Sequence, residues 1–337
     1  MSTRVPVFGG NQPRPVPGRT PGVHVVRQPL TRTVSGVCHG TLGELYQGPL
    51  RAGPVPDIAL VSFPVDRHSW VHFTPEEDAP GMLGESGVLG EPRASGESGA
   101  PGAPGVLGAK AAAAAGLFLD RFGLTLPPGR WSVHSDLRVG VGMASSTADI
   151  VATLRCLFRL FGLAYDLDVV LGVLARIERA DSVFLDEFAL HLSGRHRVVR
   201  RLGTGLGFHT AYITEPGTVD TAAVTDRLLT HYRRHGPRYE RGLDTLLKGF
   251  STGDPRAVAQ AATISAGLSQ EVLPKASFDA VLAHREWFGA DGVFVAHTGC
   301  LIGYLFAHRP GADVKSELSA FFHSLGHQCS FAQGGYG

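Results

Sequence analysis

The sequence predicts an α+β fold, and three observations lead to this class. Residues 22–40 and 57–74 carry alternating or β-branched runs that are typical of strands. Helical patterns dominate the middle of the chain, and residues 291–306 predict a strand, a glycine turn and a second strand. Because strands and helices follow one another in mixed order, a doubly wound parallel sheet is not expected.

The composition permits well-formed hydrophobic cores and argues against several classes of protein. Of the 337 residues, 43% are hydrophobic, which excludes a wholly disordered chain. A formal net charge of +1 provides no basic surface for nucleic acid. Four scattered cysteines without a CxxC pair predict reduced thiols. An apolar leader and a run of about 18 apolar residues are both missing, so we expect a cytoplasmic protein that does not enter membranes.

The chain is expected to divide into a tail and two domains. Residues 1–22, rich in Pro, Gly and Arg, predict a flexible N-terminal tail. Residues 23–200 form the predicted N-terminal domain and 201–337 the C-terminal domain. Within the first domain, residues 75–108 consist mainly of Gly, Pro, Glu, Ser and Ala, which predicts a flexible surface insertion; an active-site lid is the alternative.

Helix and strand patterns follow the insertion in order. Residues 109–124 favour a helix by propensity and period, and 129–139 a strand. An apolar stripe over 146–161 predicts the next helix, and a further helix is predicted over 166–181. Strands at 195–203 and 207–214 precede several helices and the final pair of strands.

The turn VGVGMASSTADI, residues 139–150, is the most informative segment. One interpretation is structural, because Ser146 and Asp149 have the S-x-x-D spacing of a capping box. The other is an anion site, because a glycine turn before a helix presents free N–H groups and the positive end of the helix dipole. The two are compatible. The turn is neither a Walker A loop nor a dinucleotide fingerprint, since Gly-Lys-Ser/Thr is absent and Ser145 replaces the third glycine.

Three segments together resemble the motifs of the GHMP kinases, a family that includes galactokinase, homoserine kinase and mevalonate kinase. GVGMASSTAD resembles the motif that wraps the nucleotide phosphates, with Met143 in place of a leucine and Ala144 in place of a glycine. VCHGTLGELYQG (37–48) resembles the first motif, with His39 replacing a proline, and VFVAHTGCLIGYLF (293–306) resembles the third. Their particular forms are similar to the L-threonine kinase branch.

The resemblance implies a two-domain fold with a ribosomal-protein-like N-terminal α/β domain and a ferredoxin-like C-terminal domain. It implies an ATP-dependent, Mg²⁺-dependent kinase for a small hydroxyl compound, either L-threonine or a related hydroxy amino acid. Ser146 and Glu178 would bind Mg²⁺, and Asp181 would orient or deprotonate the acceptor hydroxyl. The implied ATP-binding loop is Gly140, Val141, Gly142, Met143, Ala144, Ser145, Ser146 and Thr147.

Helical periodicity separately draws attention to the same two acids. If the helix predicted over 166–181 continues to its end, Glu178 and Asp181 fall on its apolar stripe. A carboxylate on a buried face requires a partner, and a metal ion would provide one. The alternative is a frayed helix end with both acids in water.

The remaining candidates are weaker. Glu44, His297 and Thr298 lie in the first and third motifs and are candidates for substrate binding, although Glu44 could equally cap a helix and His297 could be structural. Lys110 is expected to be solvated, and the alternative is that it reaches a phosphate. His191 and His196 lack a third ligand for zinc. Two other functions stay open: a kinase for a different alcohol, such as a natural-product intermediate, and a nucleotide-binding sensor without catalysis.

Overall fold

The structure is a computed structural model that describes residues 32–50, 57–76, 106–217 and 221–337. The predicted tail at 1–22 lies outside the described residues. So does most of the predicted insertion, from 77 to 105, together with the alternative that it forms a lid.

Strands and helices are mixed along the described part of the chain, as the sequence predicts. The strands are β1 (Val34–Leu50), β2 (Asp57–Pro75), β3 (Gly129–Ser135), β4 (Phe188–Leu192), β5 (Arg197–Gly203), β6 (Gly207–Thr214), β7 (Gly292–Val295), β8 (Leu301–Phe306) and β9 (Ser330–Gly335). The helices are α1 (Ala109–Phe122), α2 (Ser145–Leu160), α3 (Leu167–Leu174), α4 (Thr221–Thr252), α5 (Pro255–Ser269), α6 (Phe278–His284) and α7 (Ala312–Ser324). None of the helices within the described ranges combines the length and apolarity of a membrane span.

The strands form one hydrogen-bonded sheet in the order β1-β7-β8-β6-β9-β2-β4-β5, with β3 on β2 and a further β1–β2 pairing. The β1–β2 pair is long, from Val34 opposite Phe73 to Leu50 opposite Asp57. The predicted hairpin near the C-terminus is confirmed, because β7 and β8 are antiparallel from Gly292 opposite Leu305 onward. The expected domain boundary at residue 200 falls inside β5, and the division into two domains stays a prediction.

Helix α2 lies at the centre of the larger hydrophobic core. It packs against β1 and β2, and its apolar stripe from Ile150 to Phe158 is buried as expected. β1 approaches α2 so closely that a Cβ atom on Gly36 would lie 1.9 Å from the carbonyl oxygen of Ala152. A smaller second core lies between β6–β8 and helices α6 and α7, around Val281, Tyr304 and Phe322.

Helix α3 is shorter than the sequence predicts. It begins as expected, with the Asp166 carboxylate accepting hydrogen bonds from the N–H groups of Asp168 and Val169, but it ends at Leu174 rather than at residue 181. A turn follows, in which the N–H groups of Ile177 and Glu178 both donate to the Leu174 carbonyl, at 2.9 and 3.0 Å. The helical-wheel argument for residues 178–181 is therefore wrong, and these residues take their positions from an irregular segment.

Substitution of Gly36 by alanine tests the close contact between β1 and α2. The new methyl group would overlap the backbone of α2, so we expect Gly36→Ala to lower the free energy of unfolding by about 1–3 kcal/mol or more, the usual cost of overpacking. Gly116→Ala on α1 is the control, because its Cβ would meet open space and a helical Gly→Ala change gains about 0.5–1 kcal/mol. Urea denaturation measures both, and equal stabilities of the two variants would contradict the packing argument.

Candidate active site

The three sequence motifs meet at the N-terminus of α2. The N–H of Thr41 in β1 donates to the carbonyl of Met143 at 3.1 Å, and the N–H of Cys300 donates to the carbonyl of Val141 at 2.9 Å. The turn between β7 and β8 touches the loop before α2 directly, since a Cβ on Gly299 would lie 2.4 Å from the carbonyl oxygen of Val141. Segments more than 100 residues apart thereby define one pocket wall.

Every second residue from 140 to 144, in the loop before α2, has a left-handed backbone conformation. Gly140 and Gly142 have φ angles of 78° and 99°, and Ala144 has a φ of 53°. The left-handed conformation at a residue with a Cβ costs roughly 1–2 kcal/mol, so the surrounding contacts must hold Ala144 in place. These turns direct the chain into α2 without a polar cap.

The capping-box interpretation of the turn is wrong. Helix α2 begins after Ala144, and among the described residues no side chain forms a cap hydrogen bond there. Ser146 instead donates its hydroxyl to Glu178 at 2.9 Å, and Asp149 accepts a hydrogen bond from Ser69 at 2.5 Å. The first N–H groups of a helix have no intrahelical partner, so the start of α2 offers backbone donors and the positive end of its dipole to an anion.

Glu178 is the centre of a compact polar cluster at this helix end. Its carboxylate accepts hydrogen bonds from the Lys110 ammonium at 2.5 Å, the Thr147 hydroxyl at 2.7 Å and the Ser146 hydroxyl at 2.9 Å. Lys110 is exposed to solvent, as expected, and it also forms an ion pair with Glu178. A carboxylate and a hydroxyl are hard oxygen ligands of the kind that Mg²⁺ prefers, so this donor set fits a magnesium ion.

Asp181 lines the same pocket as Glu178 and has an unusual acidity. Its carboxylate accepts a hydrogen bond from the Ser62 hydroxyl at 3.3 Å. Loss of hydration raises the pKa of Asp181 to about 7, and the nearby carboxylates of Glu44 and Glu178 act in the same direction. A carboxyl group with a pKa near neutrality can exchange a proton at physiological pH.

Glu44 is held by a row of buried polar side chains. Its carboxylate accepts a hydrogen bond from the backbone N–H of His297 at 3.0 Å and a second one from Nδ1 of the His297 ring at 2.9 Å. Nε2 of His297 lies 3.0 Å from the Ser265 hydroxyl. The row has the order of a hydrolase triad, but Ser265 is only 1% exposed and its hydroxyl is bonded to the backbone of Gln47. It therefore positions Glu44 and offers no accessible nucleophile.

These groups lie around one cavity of about 280 Å³. Of the residues expected at the site, those lining the cavity are Glu44, Gly140, Gly142, Met143, Ala144, Ser145, Ser146, Thr147, Glu178, Asp181 and Thr298. Two others lie behind the wall: His297 is 1% exposed and supports Glu44, and Val141 carries the carbonyl that receives the N–H of Cys300.

Arg179 is a cavity residue that the sequence argument missed. It lines the cavity with Ser193 and Thr225, and its guanidinium donates to their hydroxyls at 3.4 and 3.3 Å. No pattern in the sequence singled out Arg179, whose position follows from the irregular segment after α3 ends at Leu174. Within the described ranges, no carboxylate lies within ion-pair distance of this guanidinium.

The raised pKa of Asp181 predicts a distinct dependence of stability on pH. The folded protein holds this proton up to about pH 7, whereas an unfolded aspartate releases it near pH 4. Between these values the folded state binds more protons, so stability falls as the pH rises. Asp181→Asn removes this loss, so we expect the variant and the wild type to be equally stable near pH 4. At pH 8 we expect the variant to be more stable, by at most about 4 kcal/mol, because the folded and unfolded pKa values differ by about three.

Chemical denaturation in magnesium-free buffer from pH 4 to pH 8 measures this difference. Asp120→Asn is the control, since Asp120 is exposed on α1 and the variant should follow the wild-type curve. A constant offset between Asp181→Asn and the wild type at every pH would show that the carboxyl group titrates normally.

Comparisons with known proteins are consistent with this geometry. Residues 109–189, which contain α1, the loop and α2, match the family model of the GHMP kinases N terminal domain. An L-threonine kinase of Citrobacter freundii is 29% identical over 180 residues, covering 52% of this chain and 62% of that protein. An L-threonine kinase of Salmonella typhimurium is 28% identical over 216 residues, covering 57% of this chain and 67% of that protein. The first match thus spans less than two thirds of its relative.

Solved structures share the fold over almost the entire chain. Mevalonate kinase of L. major in complex with R-mevalonate superposes with a TM-score of 0.61 at 14% identity and covers 91% of this chain and 97% of its own. Homoserine kinase from Cytophaga hutchinsonii superposes with a TM-score of 0.62 at 14% identity and covers 93% of this chain and 98% of its own. At this level of identity the similarity concerns the fold alone.

Proposed function

We propose that this chain, whose residues 109–189 match the family model of the GHMP kinases N terminal domain, is a kinase of that family and transfers a phosphoryl group from ATP to the hydroxyl of a small molecule. We propose L-threonine or a related hydroxy amino acid as the acceptor. The observation that carries the proposal is the hydrogen bond of 2.9 Å between Ser146, at the start of α2, and Glu178, inside a cavity that also holds Asp181.

In this proposal the start of α2 and the loop before it hold the phosphates of ATP. The free backbone N–H groups and the helix dipole attract the phosphate oxygens. Ser146 and Glu178 would hold Mg²⁺, which neutralises charge on the phosphates when it is bound. Lys110 has to leave Glu178 for this ion to bind, and its ammonium, 54% exposed at the start of α1, is free to turn toward a phosphate oxygen.

Asp181 is proposed to act on the acceptor hydroxyl. It lies in the cavity wall beside Glu44 and Glu178, and its raised pKa allows it to accept a proton at neutral pH. Phosphoryl transfer depends mainly on positioning and charge stabilisation, so orientation of the hydroxyl by this carboxylate is as important as removal of its proton.

The charges of the cavity support an amino acid as the acceptor. A zwitterion needs a cation for its carboxylate and an anion for its ammonium, and the cavity offers Arg179 together with Glu44 and Asp181. The guanidinium presents a planar fork of donors that suits a carboxylate, and its present bonds to neutral hydroxyls are long. The names of the L-threonine kinase relatives point to the same class of substrate.

We also propose that the fold consists of a ribosomal-protein-like N-terminal domain and a ferredoxin-like C-terminal domain that meet near residue 200. The second hydrophobic core, which is formed entirely by residues after 210, supports this division. The cavity would then lie where β1, from the first domain, contacts the β7–β8 turn of the second.

The first experiment measures ADP release from Mg-ATP with L-threonine, L-serine, homoserine and simple alcohols. We expect release that depends on L-threonine, and Glu178→Gln should lower kcat by about 100-fold or more because it removes charge that holds the metal. Ser146→Ala should have an effect in the same direction. ATP binding by the wild type is measured separately, by calorimetry.

The outcomes separate the alternatives. Turnover of another alcohol would retain the kinase and replace the acceptor. ATP binding without ADP release for any acceptor would favour a nucleotide-binding sensor. Wild-type rates in Glu178→Gln would contradict the proposed metal site.

Substitution of Arg179 tests how the acceptor is recognised. We expect Arg179→Gln to raise KM for L-threonine by roughly 10- to 100-fold, the effect of losing charge-assisted hydrogen bonds, with little change in kcat. The KM for 1-amino-2-propanol, which has the hydroxyl and ammonium of threonine but no carboxylate, should be the same in variant and wild type. Equal losses for both acceptors would show that Arg179 only shapes the cavity.

A further inference from the structure

A second cluster of ligand-type side chains lies on α4, outside the cavity described above. His231 and His235 are one helical turn apart, and Glu271 follows the end of α5. Oε2 of Glu271 lies 3.2 Å from Nε2 of His235 and 3.7 Å from Nδ1 of His231. One ligand atom from each residue lies within 4.8 Å of the others.

The two nitrogen–oxygen separations suit a single tetrahedral metal ion. Zinc bonds of about 2.0–2.1 Å to nitrogen and oxygen place neighbouring ligand atoms roughly 3.3 Å apart in a tetrahedron. The two nitrogen–oxygen distances in the structure, 3.2 and 3.7 Å, bracket this value. Two histidines at positions i and i+4 of a helix present their rings on one face, which is a recurrent arrangement for zinc.

Burial holds the His231 ring in place, and an ion pair with Arg238 orients the Glu271 carboxylate. The side chain of His231 is 7% exposed, and its Nε2 is buried without a hydrogen-bond partner. Arg238 donates to Oε1 of Glu271 at 3.1 Å, which leaves Oε2 directed at the two rings. An outer hydrogen bond that orients a ligating carboxylate is typical of metal centres. The side chain of His235 is 19% exposed and has room to adjust.

We propose that His231, His235 and Glu271 bind one first-row transition-metal ion of the zinc class, with water in the fourth position. Two imidazole nitrogens favour Zn²⁺ over Mg²⁺, so this ion is distinct from the one that serves phosphoryl transfer. Arg227 and Arg234 line the same surface pocket as the three ligands, and their positive charges repel a cation. The affinity for the metal therefore has to come from the nitrogen lone pairs more than from net charge. The proposal does not depend on the proposed kinase activity.

Such an ion would fasten α4 to the end of α5. α4 also lines the active-site cavity through Leu228, and Tyr232, next to His231, accepts a hydrogen bond of 3.1 Å from the cavity residue Gln47. Because the metal binds the folded arrangement and not the unfolded chain, bound Zn²⁺ should raise the unfolding temperature. The ion therefore has a structural role beside the cavity.

Calorimetric titration of the chelator-treated full chain with Zn²⁺ tests the site, with excess Mg²⁺ present to saturate oxygen-only sites. We expect one high-affinity ion per chain and a visible spectrum of tetrahedral coordination when Co²⁺ replaces Zn²⁺. His235→Gln and Glu271→Gln should each weaken binding by more than about 10-fold and abolish the zinc-dependent rise in unfolding temperature. Arg238→Met, which removes only the outer hydrogen bond, should weaken binding by about 10-fold.

The control is His323→Gln, an exposed histidine on α7 that should leave zinc affinity unchanged. Circular dichroism checks that each variant is folded. His235 and Glu271 are both at least partly exposed, so their substitution should not disturb the core. Unchanged zinc affinity in His235→Gln and Glu271→Gln, or no zinc binding by the wild type, would overturn the proposal.

Discussion

The close approach of the β7–β8 turn to the loop before α2 is the constraint on which the rest of the site depends. A Cβ on Gly299 would lie only 2.4 Å from the carbonyl oxygen of Val141. A Cβ on Gly142 would lie 2.5 Å from the Cβ of Ala296. A larger side chain at either glycine would push the loop outward. The start of α2 would then lose its position relative to Glu178, because neither the Val141 carbonyl nor the Ala296 methyl group can rotate away.

Charge is the second determinant of the site, and it opposes stability. Glu44, Glu178 and Asp181 share one cavity, and their mutual repulsion together with lost hydration raises the pKa of Asp181. Lys110 and the start of α2 offset part of this repulsion. A cavity with an excess of carboxylates is suited to a divalent cation and a positively charged substrate group, which is the physical basis of the kinase proposal.

Much of the local structure could be predicted from the sequence. The helix predicted over 146–161 is α2, displaced by one residue, and the predicted hairpin is β7–β8. Two predictions failed where the sequence pattern was ambiguous. The helical period of α3 did not reveal that it ends at Leu174, and Ser146 and Asp149 have capping-box spacing yet bond to Glu178 and Ser69. Partners distant in sequence competed successfully with the local alternative.

The sequence by itself determined the elements and the chemistry of the motifs, because periodicity, glycine positions and hydroxyl-rich turns are local properties. Only the tertiary structure decided which groups face one another. Arg179 entered the cavity because the chain leaves the helix before it, and Glu271 joined His231 and His235 because α4 and α5 pack side by side. Contacts between residues 30 to 250 positions apart depend on how the strands pair, and no local pattern in the sequence encodes that pairing.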